Sequence, residues 1–234
     1  MAYAVITGST SGIGKAIAEK FLSEGFSVAV CARTKNDLDE VEAEWGNRYP
    51  DAKILSMPVD LSVMEEVKKF AEAVLEKLPH VDVLVNNAGG FFPGKLADEE
   101  EGHLEELMKI NLYSAYHLVR AFLTSMKQRR SGHIFNISSI AGLKAYENGG
   151  SYSITKYALQ GFSENLRHEL KGDGIKVTAI IPGATWTKSW QASGLPEERF
   201  MKVDDIADMV WATYSLSKNA VVETIVMRPQ LGDI

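Results

Sequence analysis

The sequence predicts an α/β fold, a doubly wound, seven-stranded and mainly parallel sheet with helices on both faces. Two observations carry that expectation. Short β-branched runs alternate with longer helical patterns along the chain, the signature of βαβ units. The composition, 45% hydrophobic and 24% charged over 234 residues, supplies enough apolar material for one large core and matches neither disordered nor low-complexity chains.

The strands are expected at residues 3–6, 27–32, 54–59, 81–85, 133–138, 177–181 and 224–227. The first crossover shows why. Ile13, Ile17 and Phe21 recur every four residues on one helical face, Gly25 is placed to end the helix, and Phe26 to Val30 restarts an extended run. A crossover of that length suits a Rossmann-type wind. Two longer helices are expected over 104–126 and 152–170. The acidic run 98–101, with Glu105 and Glu106, opens the first of them, where negative charge complements the helix dipole. No linker rich in Pro, Ser or Gly, no repeat and no shift of composition divides the chain, so 1–234 reads as a single domain.

Composition also excludes function classes. The one cysteine, Cys31, has no partner for an internal disulfide, and five scattered histidines form no Cys/His cluster or His-Glu-x-x-His pair, so no metal site is expected. A net charge of −6 disfavours nucleic acid or an anionic membrane as partner. No stretch approaches about 18 consecutive apolar residues. The N-terminus enters a glycine loop directly, without the regions of a leader, so a cytoplasmic protein acting on a small molecule is expected.

The first strand runs into Thr7-Gly8-Ser9-Thr10-Ser11-Gly12-Ile13-Gly14 and then a helix. Glycines there let the backbone turn tightly and approach a pyrophosphate, whose charge is met by free N–H groups at the helix N-terminus. Such a loop also serves as an ordinary tight turn, but a strand before and an amphipathic helix after favour the nucleotide. At the end of the second strand, Cys31-Ala32-Arg33-Thr34 places no carboxylate for a ribose 2′-hydroxyl before Asp37. Arg33 instead offers a planar fork of donors to a 2′-phosphate, with Lys35 as a second charge, which favours NADP(H).

Tyr152-Ser153-Ile154-Thr155-Lys156 opens a helix that continues through Ala158, Leu159 and Phe162. Residues four apart share a face, so the Tyr152 hydroxyl and the Lys156 ammonium can address one site. A charge about 4 Å away at an effective dielectric of about 20 is worth roughly 4 kcal/mol, or about three pKa units, enough to bring a phenol from about 10 to near 7. There it can exchange protons with a substrate oxygen.

These segments together resemble the short-chain dehydrogenase/reductase family, of the compact single-domain, NADP(H)-preferring kind. The glycine loop is similar to the family's Thr-Gly-x-x-x-Gly-x-Gly, Asp60-Leu61 to the pair that flanks adenine, and Asn86-Asn87-Ala88-Gly89 to the element after the fourth strand. Asn111 resembles the family's helix asparagine, and Ser138-Ser139 ends the fifth strand at the usual interval before Tyr152. Pro182-Gly183-Ala184-Thr185-Trp186-Thr187 resembles Pro-Gly-x-x-x-Thr, which holds the nicotinamide carboxamide. The resemblance implies Asn111, Ser139, Tyr152 and Lys156 as catalytic residues. It implies cofactor contacts from Gly8, Ser9, Ser11, Gly12, Ile13, Gly14, Arg33, Thr34, Asp60, Leu61, Asn87, Ala88, Gly89, Tyr152, Lys156, Pro182, Gly183, Thr185 and Thr187. The short segment after Thr187 and the absence of a long C-terminal extension argue against a sugar-nucleotide epimerase or dehydratase.

The implied reaction interconverts an alcohol and its ketone or aldehyde. Tyr152 protonates the forming alkoxide, Ser139 polarises the oxygen, Lys156 lowers the Tyr152 pKa and binds the nicotinamide ribose, and Asn111 holds a water linking Lys156 to solvent. Substrate contacts are expected from the loops beyond the strand ends, at Phe92, Tyr146, Trp186 and Trp190, with the segment from Trp186 to Phe200 as a lid. Aromatics there suit apolar groups, whereas Glu147 and Asn148 suit the hydroxyls of a sugar or polyol. Two alternatives stand beside this reading. A 3-oxoacyl-[acyl-carrier-protein] reductase needs a basic surface, for which Lys127, Arg129, Arg130 and Lys171 are available, and a sensor that binds NADP without turnover needs no proton relay. The two long helices and the last strand are surfaces such families bury between subunits, implying a homotetramer, with a homodimer next. Asn136-Ile137-Ser138 matches a glycosylation acceptor but falls in an expected buried strand.

Overall fold

The computed structural model describes residues 1–234, apart from the side chain of Ala192. Seven strands form one sheet, β1 (Tyr3–Thr7), β2 (Ser27–Ala32), β3 (Ile54–Pro58), β4 (Val83–Asn86), β5 (Gly132–Ile137), β6 (Ile175–Pro182) and β7 (Thr224–Met227). Their spatial order is β3-β2-β1-β4-β5-β6-β7, and every neighbouring pair is parallel. The fold class is the one the sequence predicts. The chain winds outward from β1 to β3 and then crosses back to β4, so loops diverge between β1 and β4 at the carboxyl edge, where open α/β sheets bind ligands.

Helices on both faces explain why these strands read as unbroken apolar runs rather than alternating ones. Along β1, Val5 faces a core with Phe70, Val74, Leu118 and Phe122, while Ala4 and Ile6 face a second core with Ile17, Phe21, Trp45 and Val210. The first core is closed by α3 (Met64–Lys77), α5 (Ser114–Arg129) and α6 (Gly150–Leu170), the second by α1 (Gly12–Ser23), α2 (Lys35–Arg48) and α7 (Val203–Tyr214). None of the described helices is long and apolar enough to cross a membrane.

Strand ends shift by one or two residues from expectation, but the helix expected over 104–126 differs in kind. It is divided into α4 (His103–Met108), a π-helical turn Lys109–Tyr113 and α5. The interruption has a cause at Asn111. Its Oδ1 accepts from the Gly90 N–H at 2.7 Å and its Nδ2 donates to the Gly90 carbonyl at 3.1 Å, while Ser114 Oγ donates to the Ile110 carbonyl at 2.6 Å. Apolar periodicity runs through the extra residue, so the sequence pattern hides the break.

Candidate active site

The glycine loop is held by a side-chain ladder from the neighbouring strand. Thr7 Oγ1 accepts from the N–H groups of Asn87 and Ala88, each at 3.0 Å, and Asn87 Nδ2 donates to the carbonyls of Thr7 at 2.9 Å and Gly8 at 3.1 Å. Gly8 and Gly12 adopt φ of +66° and +56°, and a Cβ on Gly14 would overlap Gly8 O and Asn87 Nδ2. A Cβ on Gly12 would lie 3.2 Å from Thr187 Cγ2, which brings the two sequence-distant ends of the expected cofactor site together.

Other residues around the loop divide by orientation. Ser11, at the N-cap of α1, is exposed and its hydroxyl makes no capping bond. Ser9 is fully buried, and its hydroxyl turns inward to donate to the Ile6 carbonyl at 2.6 Å. Leu61 packs in the core, and Ile13 packs against the other one. Asp60 accepts from both the backbone and the hydroxyl of Ser62, which with the field of Arg33 holds its carboxyl below the ordinary range. Arg33 and Thr34 are exposed, and among the described residues no carboxylate lies within 4.0 Å of the Arg33 guanidinium. Lys35 is drawn instead to Asp39 on its own helix. Thr185 Oγ1 donates to the Gly183 carbonyl at 3.1 Å, and Gly183 N–H donates to Met227 O at 2.7 Å, anchoring the segment after Pro182 on β7.

Ser139 leaves the carboxyl end of β5 and caps a 3₁₀ turn, its Oγ accepting from Ala141 N–H at 3.1 Å, which leaves the hydroxyl proton free to be donated. The first turn of α6 brings Tyr152 against it, and one turn on, Lys156 is buried with its Nζ 5.6 Å from the Tyr152 ring centre and 3.1 Å from the Ile137 carbonyl. Asn111 Nδ2 donates also to Thr155 Oγ1 at 2.9 Å, and Thr155 donates to the Tyr152 carbonyl at 2.8 Å. Both amide hydrogens of Asn111 are thereby engaged within the fold.

The expected depression of the Tyr152 pKa is reversed. Burial pushes the phenol up to about 12, the Ser139 hydroxyl lowers it in part, and Tyr146 raises it. Burial also pushes Lys156 down to about 8. Desolvation disfavours the charged form of each group and is the largest cause of both shifts.

The substrate-facing aromatics are rearranged relative to expectation. Phe91 meets the Tyr152 ring edge-on at 4.9 Å, while Phe92 packs on His103 at 5.5 Å. Trp186 and Trp190 each pack against the buried Phe200, at 5.1 and 5.2 Å, and Trp186 N–H donates to Met201 O, so much of their surface holds the 185–201 segment together. Tyr146 is half exposed beside Tyr152. Sequence reasoning missed the buried chain Asn86–Asn136–Ser163, with two links of 2.8 Å, although the asparagine in an apolar strand was its signal. It missed Glu99 as well. A cavity of about 620 Å³ lined by Phe200, Met201, Met227, Arg228 and neighbours contains none of the expected catalytic residues.

A family model described as short chain dehydrogenase matches residues 2–198. The chain belongs to the short-chain dehydrogenase family. It is an oxidoreductase of that family, and its relatives span its length. A sepiapterin reductase from Chlorobaculum tepidum is 32% identical over 238 residues, covering 98% of this chain and 97% of its own. Among solved structures, an alcohol dehydrogenase from the archaeon Thermococcus sibiricus, complexed with 5-hydroxy-NADP, superposes with a TM-score of 0.90 at 29% identity, covering 98% of this chain and 97% of its own. L-sorbose reductase from Gluconobacter frateurii, complexed with NADPH and L-sorbose, gives a TM-score of 0.88 at 27% identity, covering 97% and 95%.

Proposed function

We propose that this chain is an NADP(H)-dependent reductase of aldehydes and ketones, running in reverse as an alcohol dehydrogenase. The observation that carries the reading is the meeting of Ser139, Tyr152 and Lys156 at the carboxyl edge of β5, across from the glycine loop. The residues fit a dinucleotide: Gly8, Gly12 and Gly14 let the loop close against Ala88, Thr187 and its own backbone where side chains would crowd it, and Arg33 is free of carboxylate partners among the described residues. The NADP and NADPH complexes of the T. sibiricus and G. frateurii relatives support the same cofactor here. When bound, NADPH supplies the hydride.

The chain's own residues do the rest. Backbone N–H groups of α1 and the Ser11 hydroxyl bind the pyrophosphate, Arg33 and Thr34 the 2′-phosphate, Asp60 and Leu61 flank the adenine, and Ala88, Gly89, Pro182, Gly183, Thr185 and Thr187 line the nicotinamide end. Tyr152, kept protonated by burial, donates its proton to the carbonyl oxygen as negative charge develops there. Ser139 donates a hydrogen bond to the same oxygen. Lys156 steadies the Tyr152 ring and reaches the ribose.

Phe91, Leu143 and Tyr146, half exposed around Tyr152 and its flanking turn, favour a carbonyl compound with an apolar or aromatic substituent. The placement of the basic residues favours this reading over the carrier-protein alternative. Arg130 precedes β5 whereas Ser139 follows it, so the basic cluster sits about 20 Å away at the opposite strand end. Three of its four members are also engaged, Arg129 with Asp82, Lys127 with Asp173 and Arg130 with Gly172 O. Initial rates of NADPH and NADH oxidation over aryl aldehydes, aliphatic ketones, sugars and acetoacetyl thioesters test the reading. Turnover of aryl carbonyls with NADPH supports it, and NADPH binding without turnover of any of these compounds returns the sensor.

For assembly we propose a homotetramer. Tyr113, Tyr116, Ile154 and Tyr157 are exposed along the π-helical turn, α5 and α6, beside a cavity of about 370 Å³ lined by Leu112, Tyr113, Tyr116, His117 and Phe162.

A further inference from the structure

The acidic run before α4 reads in sequence as charge for that helix's own dipole, but Glu99 does something else. Its Oε1 accepts from Ser151 N–H at 2.8 Å and its Oε2 accepts from Ser151 Oγ, a pair of bonds that reaches 52 residues along the chain to the first turn of α6. A second tie runs beside it, Gly94 N–H to Asn148 O at 3.0 Å. The fit is close: Gly150 adopts a φ of +41°, and a Cβ there would overlap Glu99 Oε1 and Gly94 O. Ser151 is 1% exposed, so its N–H and hydroxyl have little water to turn to if the carboxylate is removed.

The two segments joined in this way carry the two sides of the reacting centre. One bears Phe91, whose ring meets Tyr152 edge-on at 4.9 Å, and the other bears Tyr146 and Tyr152 itself. We infer that Glu99 is a positioning residue, a clasp that fixes the Phe91 loop to the start of the catalytic helix and so sets the substrate mouth over Tyr152. The inference rests on the carbonyl-reductase reading for its kinetic arm only. Glu99 touches neither cofactor loop nor reacting group, so its loss acts on the carbonyl substrate and not on NADPH.

The test uses the full-length protein, 4-nitrobenzaldehyde as carbonyl probe, and the variants Glu99→Ala, Glu99→Gln and Ser151→Ala, with Asp98→Ala as a neighbouring control. The expected result for Glu99→Ala is a loss of about tenfold or more in kcat/KM for the aldehyde, the worth of a hydrogen bond to a charged group, with unchanged Kd for NADPH. Glu99→Gln, which keeps an acceptor for Ser151 N–H, recovers part of the loss. Ser151→Ala, which keeps the backbone bond to Oε1, costs less than Glu99→Ala, and combining the two costs no more than Glu99→Ala alone. Unchanged aldehyde kinetics in Glu99→Ala, or equal losses in NADPH affinity, aldehyde kinetics and Tm, overturn the inference. Amide hydrogen exchange at Ser151 reads the clasp without turnover. Faster exchange in Glu99→Ala, confined to 91–101 and 144–152, supports it, and unchanged exchange overturns it even if the wild type reduces no carbonyl.

Discussion

The Lys156 ammonium stands 5.6 Å from the centre of the Tyr152 ring and donates to the Ile137 carbonyl at 3.1 Å. Helix α6 sets this spacing, because one turn separates the two residues, and the end of β5 supplies the acceptor. Both groups are driven toward their neutral forms, the phenol up to about 12 and the ammonium down to about 8. The chain alone therefore presents Tyr152 in its protonated form.

A stability measurement isolates the lysine. The folded protein releases the Lys156 proton near 8, whereas the unfolded chain holds it to the ordinary 10.5, so between those values the unfolded state binds more protons and Lys156 makes stability rise with pH. Over that span the gain is on the order of 3 kcal/mol. Lys156→Met has no such gain. Urea midpoints taken from pH 7 to 10.5 should climb for the wild type relative to the variant, and parallel curves contradict the burial of a charged lysine.

Arg33 decides between dinucleotides. Replacing it by alanine removes a charged donor, worth about 1.5–3 kcal/mol, and should weaken NADPH preference over NADH by roughly tenfold to a hundredfold while leaving NADH kinetics in place. The ratio of kcat/KM for the two cofactors reads this directly.

Two glycine substitutions separate a cradle from an ordinary helix position. Gly14→Ala forces a methyl into Gly8 O and Asn87 Nδ2, with an expected cost of about 1–3 kcal/mol and loss of NADPH binding. Gly46, within α2, has nothing within 4 Å of its would-be Cβ, and Gly46→Ala should raise stability by up to about 1 kcal/mol. Thermal melts with and without NADPH distinguish the two.

Sizing by light scattering over a concentration series checks the homotetramer. Tyr116→Glu and Tyr157→Glu, placed on the exposed α5 and α6 faces, should lower the assembly state, and a strict monomer at all concentrations contradicts the proposal.

The sheet was legible because strands buried on both faces leave continuous apolar runs, as at Val28, Ala29 and Val30, and because glycine loops keep a fixed spacing. What escaped the sequence was set by contacts across long separations. The π-helical turn at Asn111 depends on Gly90, the clasp of Glu99 on Ser151, and the inward turn of Ser9 on the end of β1. Phe91 and Phe92 are adjacent and alike, and only the path of the loop decides which meets Tyr152. The rise of the Tyr152 pKa was not legible because its largest cause, burial, does not show in residue spacing.

The most direct measurement compares the wild type with Tyr152→Phe for NADPH oxidation driven by 4-nitrobenzaldehyde, alongside NADPH affinity from fluorescence titration. Removing only the proton-bearing oxygen should lower turnover by about 10²–10⁴-fold and leave NADPH affinity unchanged. Turnover retained in Tyr152→Phe contradicts the assignment of Tyr152 as the general acid, and with it the reading of this site.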